Sequence, residues 1–120
     1  MKTCVLAVGL ALVAAAPPAL ALAQATISPA EAQAHAGQSV TVEGTVSEIH
    51  VSASGRATFV NLGGRFPNNA FSAVVFATDA GKFPNLSALD GKTIDVTGPV
   101  QLYKGRAEIV LTDAAQLKAK

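Results

Sequence analysis

Between Ser39 and His50 apolar and polar residues alternate, with Val40, Val42, Val46 and Ile49 facing one way, which predicts a long, half-buried strand. Much of that pattern is used twice: Gly37-Gln-Ser-Val-Thr-Val-Glu-Gly-Thr-Val46 returns as Gly91-Lys-Thr-Ile-Asp-Val-Thr-Gly-Pro-Val100. A glycine inside an alternating strand marks a bulge or a sharp bend, so Gly44 and Gly98 predict two strands bent at the same place. Three shorter stretches complete the strand set: Ala57 to Leu62, Phe71 to Ala77, and Arg106 to Thr112. The Phe71 stretch is almost wholly apolar, as in a strand buried on both faces or lining a ligand face. Ser52 to Arg56 reads as a turn, Gly63 to Asn69 as a loop rich in breakers, and Tyr103 to Arg106 as a tight connection.

Two helical signals flank the strands. Ser28-Pro-Ala-Glu31 has the form of a capping box, with proline at the first helical position, and predicts a short helix over 29 to 35. Asp79 to Leu89, interrupted by Pro84, predicts a short helix or an irregular turn. Three strands, a helical connection and two more strands form the order of an OB-fold. The expected class is therefore all-β with short helices: a five-stranded Greek-key barrel, a helix between its third and fourth strands, and a short N-terminal helix. Gly44 and Gly98 then have a steric purpose, letting one strand serve both halves of a small barrel. The doubled phrase fits either that geometry or a duplication.

Composition changes this picture at the N-terminus. Lys2, an apolar run from Cys4 to Ala16, Pro17-Pro18 and Ala19-Leu-Ala-Leu-Ala23 have the form of a secretory signal peptide. Cleavage is expected after Ala23, with Ala25 the second choice, so no membrane span would remain and the only cysteine would be removed. The expected division is residues 1–23 signal peptide, 24–38 N-terminal segment with the short helix, 39–113 OB domain and 114–120 a frayed tail. The expected destination is secreted or periplasmic. Outside the leader, eight Lys and Arg balance eight Asp and Glu, so anion binding would have to come from a local patch.

The chain resembles stand-alone secreted bacterial OB domains related to the anticodon-binding and exonuclease VII nucleic-acid-binding modules. The residues that carry the resemblance are Val40-x-Val-x-Gly-x-Val46, Phe59-Val-Asn-Leu-Gly63, Phe66-Pro-Asn68, Phe71-Ser-Ala-Val-Val-Phe76, Leu89-Asp-Gly-Lys92, Val96-Thr-Gly98 and Tyr103-x-Gly-Arg-x-Glu-Ile109. The resemblance implies a ligand groove across the second and third strands, formed by Phe59, Asn61, Phe71 and the alternating residues of 71 to 76, and flanked by the Ser52 to Arg56 and Tyr103 to Arg106 loops. Candidate ligand-binding residues are Arg56, Phe59, Asn61, Arg65, Phe66, Tyr103, Lys104 and Arg106. Basic groups for phosphate and aromatic rings for bases are the two components of single-strand binding.

Other chemistries are excluded on residue grounds. Gly91-Lys92-Thr93 imitates the end of a phosphate-binding loop, but Leu86 stands where that motif needs glycine, and a strand rather than a helix follows. His35 and His50 lack a third ligand at metal spacing. Glu43, Asp95 and Glu108 fall at polar strand positions where carboxylates serve solubility, and no Gly-x-Ser-x-Gly or His-Glu-x-x-His is present. Glu108 also shares a strand face with Arg106 and is expected to pair with it. The chain thus reads as a non-enzymatic, monomeric binding module without metal or cofactor. Its expected partner is single-stranded nucleic acid, with an envelope protein or glycan in the same groove as the alternative.

Overall fold

A computed structural model describes residues 25–120, so the leader assigned to residues 1–23 lies outside the described residues. Eight strands follow in chain order: β1 (Thr26–Ile27), β2 (Ser39–Val51), β3 (Ala57–Leu62), β4 (Phe71–Phe76), β5 (Thr93–Pro99), β6 (Gln101–Tyr103), β7 (Arg106–Val110) and β8 (Leu117–Ala119). They form a mixed sheet in the order β6-β7-β4-β3-β2-β5-β8, with β1 added in parallel to the start of β2. The β4–β7 pair is also parallel; the other pairs are antiparallel. Four 3-10 helices fill the connections, at Pro29–His35, Ala77–Lys82, Leu86–Leu89 and Ala114–Gln116. No helix among the described residues is long and apolar enough to cross a membrane.

The strand set goes beyond the expected five-stranded Greek-key barrel in two ways. The fourth expected strand ends at Pro99, which has no N–H to offer a ladder. The chain beyond it forms β6, which folds back on β7 through a tight turn at Lys104 and Gly105, both with positive φ. The expected frayed tail instead forms β8, because Leu117 packs on the core while the strand pairs with β5. The hydrogen-bonded ladder accordingly ends at β6 and β8 rather than closing on itself.

The long β2 belongs to both halves of the sheet. Its first half pairs with β5 from Ser39 to Thr45, and its second half pairs with β3 from Val46 to Val51. A bulge between Val46 and Glu48 shifts the register by one residue. That shift is why Val40, Val42 and Val46, all at even positions, share the core with Ile49 at an odd one. Gly44 stands at the bend, where a Cβ would come within 2.6 Å of Pro29 Cγ and 3.0 Å of Leu62. Only glycine lets the Pro29–His35 helix lie this close to the strand. That helix begins as expected, with Ser28 N donating to the Glu31 carboxylate at 2.9 Å, a bond that holds this carboxyl below its ordinary pKa.

The doubled phrase proves to be one ladder seen from both sides. β2 and β5 pair antiparallel with Val42 opposite Val96 at the centre, the same position in both copies. Every other pair is then matched around that centre: Thr41 faces Thr97, Glu43 faces Asp95, Gly44 faces Ile94 and Val40 faces Gly98. The ends obey the same local two-fold. Gly37 N donates to Val100 O at 2.8 Å and Gly91 N to Val46 O at 3.0 Å; Val100 N donates to Gln38 O and Val46 N to Lys92 O.

Candidate ligand-binding groove

The groove lies on the outer face of the second sheet half, and strand alternation decides which side chains reach it. On β4, Phe71, Ala73 and Val75 enter the core, which leaves Ser72, Val74 and Phe76 on the other face. On β3, Val60 and Leu62 enter the core and Phe59 faces the groove. On β7, Ala107 and Ile109 do the former, and Arg106 and Glu108 the latter.

Register then aligns these positions in rows. One row, His50, Phe59 and Val74, is aromatic and apolar. The next, Glu48, Asn61, Ser72, Glu108 and Gln101, is polar and crosses five strands. Hydrogen bonds stitch much of it together. Asn61 donates to Glu48 at 3.0 Å, the Ser72 hydroxyl donates to Asn61 Oδ1 at 2.7 Å, and Gln101 donates to Glu108 at 3.1 Å. Asn69, from the 63–69 loop, donates to Ser72 Oγ at 2.7 Å and to the Phe71 carbonyl at 3.1 Å, which anchors the loop over the floor. Glu48 anchors it a second time: the backbone N–H of Phe66 and the Asn61 amide both donate to its carboxylate and hold it below its ordinary pKa.

Above these rows stand two communicating depressions. One, of about 380 Å³, is lined by His50, Phe66, Lys104 and Arg106; the other, of about 270 Å³, by Val74, Phe76 and Gln101. Phe59, Tyr103 and Glu108 belong to both, so the two form one groove. Phe66 stacks on His50 with ring centroids 5.2 Å apart and planes 9° from parallel, and the Arg106 guanidinium lies 5.0 Å from its centroid. Lys104 Nζ lies 5.3 Å from the centroid of Tyr103, whose side chain is among the more exposed apolar groups of the domain.

Of the residues expected at a site, Phe59, Phe66, Tyr103, Lys104 and Arg106 line the groove together. Asn61 is fully buried in the floor, where it orders Glu48 and Ser72. Arg65 is largely exposed and pairs with Glu48 at 3.6 Å, and Arg56 lies in the 52–56 turn, outside the lining. The expected Arg106–Glu108 pair is not formed: Arg106 packs over Phe66, and Glu108 accepts from Gln101. His50, Ser72, Gln101 and Glu108 are site residues that the sequence reading missed as such. The signal for His50 was available, since a short turn between β2 and β3 sets it opposite Phe59.

The fold recurs in solved structures. An OBody, AM1L10, bound to hen egg-white lysozyme is 22% identical, with a TM-score of 0.59 over 82% of this chain and 95% of that chain. Asparaginyl-tRNA synthetase from Pyrococcus horikoshii matches at 19% identity and a TM-score of 0.57 over 78% of this chain. The chain has an OB-like fold. The asparaginyl-tRNA synthetase of Entamoeba histolytica, in complex with asparaginyl-adenylate, matches at 19% identity and a TM-score of 0.55 over 81% of this chain. The chain spans 22% and 24% of the two synthetases, so the likeness concerns one domain of each. No protein-family model matches the chain, and no curated protein does.

Proposed function

We propose that the chain is an exported, monomeric, non-enzymatic OB module that binds single-stranded nucleic acid or an oligonucleotide across the β3–β4 face. One observation carries this reading: Phe59 and Tyr103 line the same groove as Lys104 and Arg106. Rings for stacking beside cations for phosphate are what a strand of nucleotides requires. The OB-like fold, shared with domains of two asparaginyl-tRNA synthetases, supports the same reading. So does the 103–106 turn, whose fixed geometry sets Lys104 and Arg106 at the rim.

The test is a titration of the protein with a labelled poly-pyrimidine single strand at two salt concentrations. Binding that weakens as salt rises, with a log–log slope of roughly −0.7 for each phosphate contacted, is the expected result. Absence of binding at low salt overturns the reading.

A second reading, an envelope protein or glycan in the same groove, is favoured by a different observation. Phe76, which lines the groove on β4, is a large apolar side chain left exposed there, a surface that a phosphate backbone does not use. The OBody neighbour, which binds lysozyme, is a protein of this fold with a protein partner. Absence of strand binding at low salt leaves this reading in place of the first.

A further inference from the structure

The polar row on the groove floor is continuous except at one step. Ser72 gives its hydroxyl proton to Asn61 and accepts from Asn69, so it makes no bond to Glu108 opposite it. Among the described residues, Gln101, bonded to Oε1, is the one hydrogen-bond partner of the Glu108 side chain. Oε2 has no protein donor. Glu108 is 8% exposed and borders both lobes of the groove, close to Phe59 and Tyr103. Oε2 is open to the groove rather than sealed, so the donors it accepts from come from water or from a ligand that displaces it.

The surrounding charges restrict what such a donor belongs to. Lys104 and Arg106 line the same groove, so a polycationic ligand that reached Glu108 would meet like charge at the rim. A purely anionic ligand would meet the carboxylate. A nucleotide strand satisfies both, because its phosphates stay outside while a base edge carries N–H donors inward.

We propose that Glu108 is the floor of a base subsite that selects guanine, an inference that rests on the nucleic-acid reading given above. Guanine presents two adjacent donors, N1–H and the N2 amino group, which a carboxylate accepts side by side; Oε1 keeps a second lone pair beside the Gln101 bond. Cytosine and adenine offer one amino donor next to a ring-nitrogen acceptor. Thymine places its single N–H between two carbonyl oxygens that oppose the carboxylate. The order of preference is guanine, then cytosine and adenine, then thymine. Phe59 and Tyr103 supply the rings against which the selected base packs.

Fluorescence anisotropy with the full chain and labelled short thymidylate strands, each carrying one central guanine, cytosine, adenine or thymine, tests this. The guanine strand should bind on the order of tenfold more tightly than the all-thymine strand. Glu108→Gln should bring that ratio to within about twofold while the far-ultraviolet circular dichroism is kept. The ranking of strands needs no variant, so it decides the matter even if Glu108→Gln fails to fold. Equal binding of all four strands overturns the guanine subsite and leaves the nucleic-acid reading standing. Binding of none at low salt overturns both. Glu108-dependent binding of an oligolysine peptide, with no preference among strands, overturns the subsite and assigns the groove to a cationic protein segment.

Discussion

The two outward faces of this sheet are built from the same alternation of residues but leave their polar groups in different states. On the β2–β5 face, Thr41 bonds Thr97 at 2.9 Å, Thr45 bonds Thr93 at 3.2 Å, and Lys120 reaches Glu43 at 3.0 Å and Asp95 at 3.8 Å. A depression of about 560 Å³ lies there, larger than either lobe of the groove. Gln116 beside it is occupied by Thr97 O, and Asp113 by Ala115 N; Asp95 Oδ1 is the exception, buried without a partner. On the β3–β4–β7 face, exposed rings stand beside cations over a carboxylate with one bond. Size alone therefore does not locate a site. The first face is largely complete without a ligand, and the second is not.

The largest expected effect breaks the structural half of that contrast. Gly44→Val places side-chain atoms against the Pro29 ring and should destabilise the domain by about 3 kcal/mol, lowering the melting temperature by roughly 10–20 °C. A melt within a few degrees of the parent would show that the bend does not need a bare backbone.

Next comes a change confined to the groove. Lys104→Ala with Arg106→Ala should reduce strand affinity on the order of tenfold and the salt slope by about 1.4, with the melting curve unchanged. Arg56→Ala, outside the lining, should stay within about twofold of the parent. If the 56 variant loses as much as the pair, the binding surface extends to the 52–56 turn.

Acid should loosen the groove's loop by a smaller amount. The Glu48 carboxyl is held below its ordinary 4.5 by the Phe66 N–H and the Asn61 amide. Between its folded and unfolded pKa values the unfolded chain binds the extra proton. The contribution of Glu48 is thus intact above the unfolded value and lost as pH falls through the folded one. Glu48→Gln should flatten the acid side of a melting-temperature profile, and an unchanged profile would assign the acid sensitivity to other carboxylates such as Glu31, which is shifted the same way.

The smallest effect belongs to the completed face. Lys120 has its pKa raised, chiefly by Glu43 and then by Asp95, so its contribution is present at neutral pH and lost as pH rises past the ordinary 10.5. Lys120→Ala should lower the melting temperature only slightly and leave strand binding untouched.

What was legible in the sequence was whatever a local pattern dictates. Alternation located β2 and β5, an apolar run located β4, and turn signals bounded β3 and β7; the capping box located the first 3-10 helix, and Gly44 marked the close approach of that helix to β2. What was not legible depends on pairing across the sheet. The bulge between Val46 and Glu48 puts the two halves of β2 out of phase, so the alternation of the first half does not carry over into the second, and nothing local announces it. Glu108 was read as the partner of Arg106 because residues two apart share a strand face, yet the β6–β7 hairpin brings Gln101 opposite it. β6 is too short, and the region of β8 too close to the chain end, for alternation to distinguish either from a loop. The candidate rings and cations were visible as residue types, but the polar row that underlies them is a property of register.

The matched ladder of β2 and β5 has one more consequence. Because the two copies of the phrase pair about a shared centre, each copy is also complementary to itself: β2 of one molecule meets, in β2 of another, nearly the same sequence of Gly, hydroxyl and Val positions it meets in its own β5. What favours the intramolecular match is the tether, which makes the sibling copy the more concentrated partner. Refolding at rising protein concentration should therefore yield exchanged dimers, measurable by size-exclusion chromatography. The seam that centres this fold is also the point at which two chains can be mistaken for one.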